Sequence, residues 1–410
     1  MRRTIAPRLD KLALASASLV LTPLAHADFI ADSKAGVEMR NYYFNRDFRQ
    51  ADARDKAEEW AQGFLLRYES GFTEGTVGLG LDATGMLGLK LDSGGGTGGT
   101  NLLKPESDGG SHDSYTKMAV AAKVKVSNSV LKVGDFTVKD PVVNTGDARL
   151  LLSTFRGALL NVQEVPGLNI NYGELRQLNY NESSDYLDLT ANRIGGTSDR
   201  FRFGGFDYNL LPSLTTSYRR GQLEGVYQQD YFGILSVLPL GNGRRLKTDL
   251  RYALSREDGG FQALDNKAFG AMTTYTLGGH SFGVGYQKMN GSDPFPYIGR
   301  ADPFLVNFVM VNDFANVNER SWQARYDFDF AAVGIPGLSF MTRYVHGDDV
   351  HLGSSDDGKE WERNTDIAYV IQSGPLKNFG MKWRNATIRS TFGNDLDENR
   401  IVLTYNLPLW

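Results

Sequence analysis

Strand-length runs in this chain alternate apolar and polar residues with a period of two, and the polar side often carries a basic residue. Between Leu246 and Leu254, the residues Leu246, Leu250, Tyr252 and Leu254 fall on one side, and Lys247, Asp249 and Arg251 on the other. Between Trp322 and Phe330, the residues Trp322, Ala324, Tyr326, Phe328 and Phe330 oppose Gln323, Arg325, Asp327 and Asp329. A two-residue period is that of a β-strand, whose side chains point alternately to the two faces of a sheet. The apolar face must reach a protein core or lipid, and the charged face must reach water. A soluble sheet meets both demands by packing one face inward. A membrane barrel meets them by turning the apolar face to hydrocarbon and the charged face to a wet lumen.

The N-terminus bears on that choice. Arg2, Arg3, Arg8 and Lys11 precede a short apolar run, Leu12 to Leu24, and a small-x-small site at Ala25-His26-Ala27. This pattern predicts a secretory signal over residues 1–27 and a mature chain of residues 28–410 beginning at Asp28. The apolar run is too short to span a bilayer as a helix, and no later run approaches ~18 apolar residues. The chain has no cysteine, so an exported protein of this sequence is not stabilised by disulfides. Closing a barrel's hydrogen-bond network is one alternative source of stability. The 46 glycines and the 11% aromatic content suit many turns and interfacial aromatic girdles. A net charge of −4 argues against nucleic acid as a partner.

The connections between strand-like runs are of two kinds. Eight are short: Ser70–Gly75, Ser127–Ser129, Pro166-Gly167, Asn209–Ser213, Gly241–Gly243, Gly278–His280, Gly334–Gly337 and Gly374–Asn378. The others are mostly long and polar: Arg46–Glu59, Lys90–Tyr115, Lys139–Thr154, Leu178–Ser198, Glu257–Asn266, Met289–Glu319 and Gly347–Arg363. Tight turns on one side and long loops on the other fit an outer-membrane barrel with both termini periplasmic. Eight turns join sixteen strands, and end strands near Val37–Phe44 and Asn399–Leu407 bring the expected number to 18. No four-strand sequence repeat argues for a propeller. The expected fold is all-β: one 18-stranded antiparallel transmembrane β-barrel with inward-folded constriction loops. Alternation also holds at Phe64, Leu66 and Tyr68, at Val120, Ala122, Val124 and Val126, at Ala271 to Leu277, and at Ile401, Leu403, Tyr405 and Leu407.

Several segments resemble the OprD-type outer-membrane carboxylate channel (Occ) family of pseudomonads. They are Met39-Arg40-Asn41-Tyr42-Tyr43-Phe44-Asn45-Arg46-Asp47, Trp60–Phe64 with Tyr68–Thr73, Asp147-Ala148-Arg149-Leu150-Leu151, Ser321–Asp327, and Trp383-Arg384-Asn385-Ala386 with Glu398-Asn399-Arg400. They keep their order from the first strand to the last. The resemblance implies a monomeric pore narrowed by inward loops and selective for small carboxylates. It makes residues 139–154 the constriction loop, carrying Asp147 and Arg149. It also implies a basic ladder at Lys382, Arg384, Arg389 and Arg400, facing Arg149 across the pore.

A basic residue facing lipid at the midplane costs about 2–4 kcal/mol, so basic residues within strands are expected to point into the lumen. Arg40, Arg67, Arg176 and Arg325 are on these grounds further candidates to contact substrate. Lys123, Lys125, Lys132, Lys247, Arg251 and Arg343 share the placement. Guanidinium offers a carboxylate paired hydrogen bonds that chloride cannot use. Spaced, hydrated wells pass an ion along where a single deep well would trap it. The loop over residues 289–319 is unusually apolar, so it is expected to pack into the barrel and bring Phe304 and Phe308 to the constriction. That apolar content favours cyclic or aromatic monocarboxylates. A basic amino acid would instead need acids such as Asp147, Asp293, Asp302 or Asp313 in the eyelet.

Other signals carry less. Gly94–Gly99 lacks the Gly-Lys-Ser/Thr of a phosphate loop. Asp348, Asp349, Asp356 and Asp357 have no calcium-loop spacing. No histidine lies in a catalytic motif, so no enzyme, metal or cofactor is expected. The expected partners are outer-membrane lipid and lipopolysaccharide, small carboxylates and the barrel assembly machinery, with the chain a monomer or weak oligomer. A non-conducting barrel for adhesion or display is the rival class, which the charged inward positions disfavour.

Overall fold

The computed structural model describes residues 26–50, 54–353 and 355–410. The signal sequence expected over residues 1–27 lies outside them apart from His26 and Ala27, which open a short helix, His26–Ala31. Eighteen strands follow: β1 (Lys34–Phe48), β2 (Lys56–Glu69), β3 (Val77–Asp92), β4 (Ser114–Val126), β5 (Ser129–Phe136), β6 (Thr154–Val165), β7 (Leu168–Asn179), β8 (Phe201–Leu211), β9 (Leu214–Leu223), β10 (Tyr227–Gly241), β11 (Arg244–Glu257), β12 (Asp265–Leu277), β13 (His280–Gly291), β14 (Arg320–Asp329), β15 (Leu338–Val350), β16 (Gly358–Val370), β17 (Phe379–Ser390) and β18 (Leu396–Pro408). Each is antiparallel to its sequence neighbours, and β1 pairs with β18 from Gly36↔Pro408 to Phe48↔Leu396. The sheet is therefore closed. In hydrocarbon an unpaired backbone group costs several kcal/mol, and closure leaves no edge strand to expose one.

All eight short turns fall at the end of the barrel that also holds the start of β1 and the end of β18. The opposite, loop end is less uniform than the sequence suggests. Four connections there are long: residues 93–113, 137–153, 180–200 and 292–319. Two are as short as turns, at residues 224–226 and 391–395. Strands also run further than their polar content implies. β15 and β16 extend to Val350 and Gly358, with a bulge after Gly347, where sequence suggests a loop over Gly347–Arg363.

Side-chain parity follows the two-residue alternation. Leu66, Ile234, Phe282, Val284, Trp322 and Ile401 are exposed on the outer wall, as a lipid-facing surface requires. Inside, there is no core of the kind two packed layers make. The residues of lowest exposure are instead where loops fold back onto the inward face of the strands. Leu150 and Leu151 pack with Tyr42, Phe44, Ala61 and Leu65. Val142, Val143, Leu189 and Ile298 pack with Phe155, Phe201 and Phe203.

Candidate functional site

Three loops meet in the lumen. Within residues 137–153, Lys139–Asp140 pairs with Val143–Asn144 as a small hairpin. Leu189–Asn192, from the loop after β7, pairs with Tyr297–Ile298 of the loop after β13. A bridge between Thr145 and Ala301, and an Asp302 N–H donated to the Asn144 carbonyl at 2.8 Å, lace the first loop to the last. The apolar loop thus packs inside the barrel, as its composition predicts, with Phe295, Ile298, Val309 and Phe314 buried.

The constriction loop is pinned from both sides. The Arg219 guanidinium holds Asp140 at 2.7 Å and Asp207 at 2.6 Å. On the other wall Tyr42 donates to the Ala148 carbonyl at 3.1 Å. Leu150 lies on Gly63, where a Cβ would stand 3.1 Å from the leucine side chain. Gly146 has a similar reason, since a Cβ there would meet the Asp302 carboxylate at 2.7 Å.

The turn of chain at Asp147-Ala148-Arg149 separates two cavities. One, about 730 Å³, opens toward the loop end and is lined by Arg300, Asp302, Phe308 and Met310 among others. The other, about 310 Å³, opens toward the turn end and is lined by Glu38, Arg40, Lys382 and Thr404 among others. Arg149 and Arg384 line both. They mark the eyelet.

The eyelet's cations are set by strand register. Arg384 of β17 stands opposite Arg400 of β18, and Phe44 of β1 opposite Arg400 on the other side. Like charges side by side repel, so each is balanced. Asp366 holds Arg384 at 3.0 Å. Glu398 holds Arg400 at 2.5 Å and Arg46 at 2.7 Å. Phe44 lies beneath three guanidiniums, at 4.4 Å from Arg400, 5.0 Å from Arg46 and 5.3 Å from Arg149. Its ring face favours the cations it supports. Arg400 also donates to the carbonyls of Ala148 and Met310, clamping both loops to the wall.

Arg149 differs from its neighbours. It has no carboxylate partner among the described residues, and its buried Nε–H has no acceptor there. Burial, with Arg400 and Arg46 close by, presses its guanidinium down to about 10, so it stays charged at neutral pH. A buried N–H without an acceptor is costly, and an anion in the eyelet would supply one. Lys382 likewise has no ion pair among the described residues and is exposed to the lumen. Of the acids proposed for the eyelet, Asp147 accepts from Arg40 at 2.5 and 3.1 Å. Asp313 is held by Arg193 at 2.8 Å, and Asp293 binds the Asp265 N–H at 3.0 Å. Asp302 keeps no ion pair among the described residues, and burial pushes its carboxyl up to about 6 against the pull of Arg149.

The sequence-derived site residues divide accordingly. Arg40, Asp147, Arg149, Lys382, Arg384 and Arg400 come together. Arg67 joins them at the turn end, donating to Glu38 at 2.6 Å. Arg325 faces the lumen on a different wall, paired with Asp327 at 2.7 Å. Phe308 lines the loop-end cavity, but Phe304 does not: it packs against Tyr231 and Arg251. Two residues are corrected outright. Arg389 lies on the outer wall near the loop end, paired with Asp397 at 3.0 Å and stacked near Trp361. It is five residues from Arg384, and an odd spacing in a strand reverses the face. Arg176 also lies outside, joined to Glu174 at 2.5 Å beside Arg202. Sequence reasoning missed the acids that order the site. Glu362 is fully buried and receives the backbone N–H groups of Met310, Val311 and Asn312 at 2.8–3.1 Å.

A closed barrel with an apolar outer wall, and with its lumen narrowed by loops to a cation-lined eyelet, is a porin. The chain belongs to the OprD family of outer membrane porins, whose family model matches residues 27–409. It is 40% identical to the porin-like protein GalP of Pseudomonas putida over 99% of both chains. Among solved structures it is similar to Pseudomonas aeruginosa OpdO, at 56% identity and a TM-score of 0.87, covering 94% of this chain and 100% of that one. It is also similar to Pseudomonas aeruginosa OpdK with vanillate, at 37% identity and a TM-score of 0.88, covering 93% and 100%.

Proposed function

We propose that this porin is a passive channel for small organic carboxylates, with a preference for cyclic or aromatic monocarboxylates, and with both termini on the periplasmic side. The observation that carries the reading is the row of guanidiniums at the eyelet, where Arg149 and Lys382 keep no ion pair among the described residues. A carboxylate about 4 Å from one cation gains ~1 kcal/mol in water-like surroundings and ~4 kcal/mol at an effective dielectric near 20. Several such contacts in sequence attract the ion without trapping it. Phe308, Val309, Met310 and Val311 give the loop-end cavity an apolar side for the rest of the molecule. The solved structure of OpdK with vanillate, an aromatic carboxylate, supports the same class. The position of the start of β1 and the end of β18 beside the eight short turns supports that orientation.

The test is uptake of labelled benzoate and labelled arginine, side by side, into liposomes carrying the protein. Benzoate is expected to enter faster. Arginine entering clearly faster would reverse the preference and point to Asp302 as the partner of its side chain. Failure of either to enter, together with no conductance in a planar bilayer, would refute the channel reading.

A further inference from the structure

A second cationic cavity lies on the turn side of the constriction, on a different wall from the eyelet's row of cations. It measures about 490 Å³ and is enclosed by the inward faces of β11 to β15. The loop segment Leu305–Phe308 roofs it, contributing Leu305, Val306 and Phe308. Five cations line it: Arg245, Lys247, Arg251, Arg325 and Arg343. Against them stand two carboxylates, and both are already taken. Asp249 is held by Arg251 and Asp327 by Arg325, each at 2.7 Å. Arg245 and Lys247 have no ion pair or hydrogen-bond acceptor among the described residues, and both are exposed to the lumen. Arg343 donates to the Asn364 side chain at 2.7 Å and has no carboxylate partner among the described residues. The lining is therefore an excess of three positive charges beside an apolar roof.

We infer that this cavity is a second binding station for organic anions, in which Lys247 and Arg245 hold the carboxylate and Phe308, Val306 and Leu305 cover the apolar body. The inference rests on the carboxylate-channel reading and extends it. Phe308 lines both this cavity and the one on the loop side of the eyelet. A substrate that slides off the apolar loop segment therefore meets Lys247 on its way to the turn end. Inorganic chloride gains only the charge; a carboxylate with a ring or chain also covers apolar surface. Lumen cations that serve only to balance wall acids would be paired. The acids of this cavity are already neutralised without Arg245, Lys247 or Arg343, so those three charges are left to face a ligand.

The experiment uses 4-iodobenzoate and the double variant Arg245→Gln/Lys247→Gln. Neither side chain has a partner among the described residues to lose, so the substitution removes charge and little else. Crystals of the wild-type protein soaked in 4-iodobenzoate are expected to show an anomalous iodine peak between Lys247 and Phe308, absent in the variant. Benzoate uptake by liposomes carrying the variant should show half-saturation raised about fivefold, the factor one carboxylate–cation contact supplies in water-like surroundings. An iodine peak only beside Arg149 and Arg384, a peak that survives the double substitution, or unchanged half-saturation would overturn the second station and leave the carboxylate channel standing. A wild-type protein that takes up no benzoate would instead overturn the carboxylate reading itself.

Discussion

Replacing Glu362 by glutamine should loosen the eyelet without unfolding the barrel. The Glu362 carboxylate sits fully buried on the inward face of β16. It accepts three backbone N–H groups from Met310, Val311 and Asn312, and a fourth hydrogen from the Asn364 side chain at 2.6 Å. Four donors and no acceptor surround it, which a carboxylate satisfies and a carboxamide cannot. Glutamine keeps one oxygen and turns an NH2 toward hydrogens that also need acceptors. About two of the four bonds are lost. Hydrogen bonds to a charged group contribute about 1.5–3 kcal/mol each, so the segment loses about 3–6 kcal/mol. Freeing the backbone of three residues returns about 3–6 kcal/mol of entropy. The two terms are of the same size, so Met310–Asn312 should pass from anchored to open for a substantial part of the time. The strand ladder of β16 with β15 and β17 involves no side chain and should hold. Hydrogen exchange at the amides of 310–312 should quicken at least a hundredfold, which corresponds to about 3 kcal/mol. Single-channel current should become larger and noisier. Exchange and conductance both equal to wild type would refute the claim that this carboxylate holds the loop.

Three further outcomes follow from the same geometry. Arg149→Ala and Arg400→Ala should each slow benzoate uptake about tenfold or more, while Arg389→Ala, on the outer wall, should leave it within twofold; equal losses in all three would sink the assignment of faces. Asp302 is neutral below its raised value of about 6 and negative above it, so the eyelet is more positive at pH 5 than at pH 7.5. Anion over cation permeability measured by reversal potential should therefore fall as pH rises through 6, and Asp302→Asn should flatten that dependence. Val284→Arg, mid-strand on the lipid face and 69% exposed, should cost about 2–4 kcal/mol of stability in bilayers. Urea unfolding in lipid vesicles measures it, and an unchanged midpoint would mean that this face does not meet hydrocarbon.

The barrel is legible in the sequence because its determinants are local. Alternation fixes strand faces, and glycine-rich turns fix the strand count, so 18 follows from runs such as Leu246–Leu254 and turns such as Gly241–Gly243. The apolar loop after β13 announces its own burial. The misplacements have physical causes. Arg389 was recoverable, since parity alone separates it from Arg384. Arg176 lies next to a bulge where Arg156–Gly157 pairs with Gln177–Leu175, and a bulge resets the phase that period-2 reading relies on. The acids that order the eyelet were not recoverable. Arg46 meets Glu398 only because the first strand closes on the last. Glu362 matters because a loop some fifty residues earlier folds down onto it. Contacts of that kind belong to the closed ring and leave no trace in any window of sequence.

The seam between β1 and β18 has a consequence for how such a molecule comes into being. The Trp410 indole donates to the Ser33 hydroxyl at 2.9 Å, and the Leu409 N–H to the Ala35 carbonyl at 2.9 Å, so the start of β1 and the residues just past β18 are stitched to each other at the turn end. A ring fastened at that point has no first strand once it is finished. A short covalent link from the end of β18 to the start of β1, with new ends cut at Asn242-Gly243, would give the same wall in a different order of synthesis. In the natural order the seam joins the first strand of the wall to the last, so this fastening is what distinguishes a closed pore from an open membrane-bound sheet.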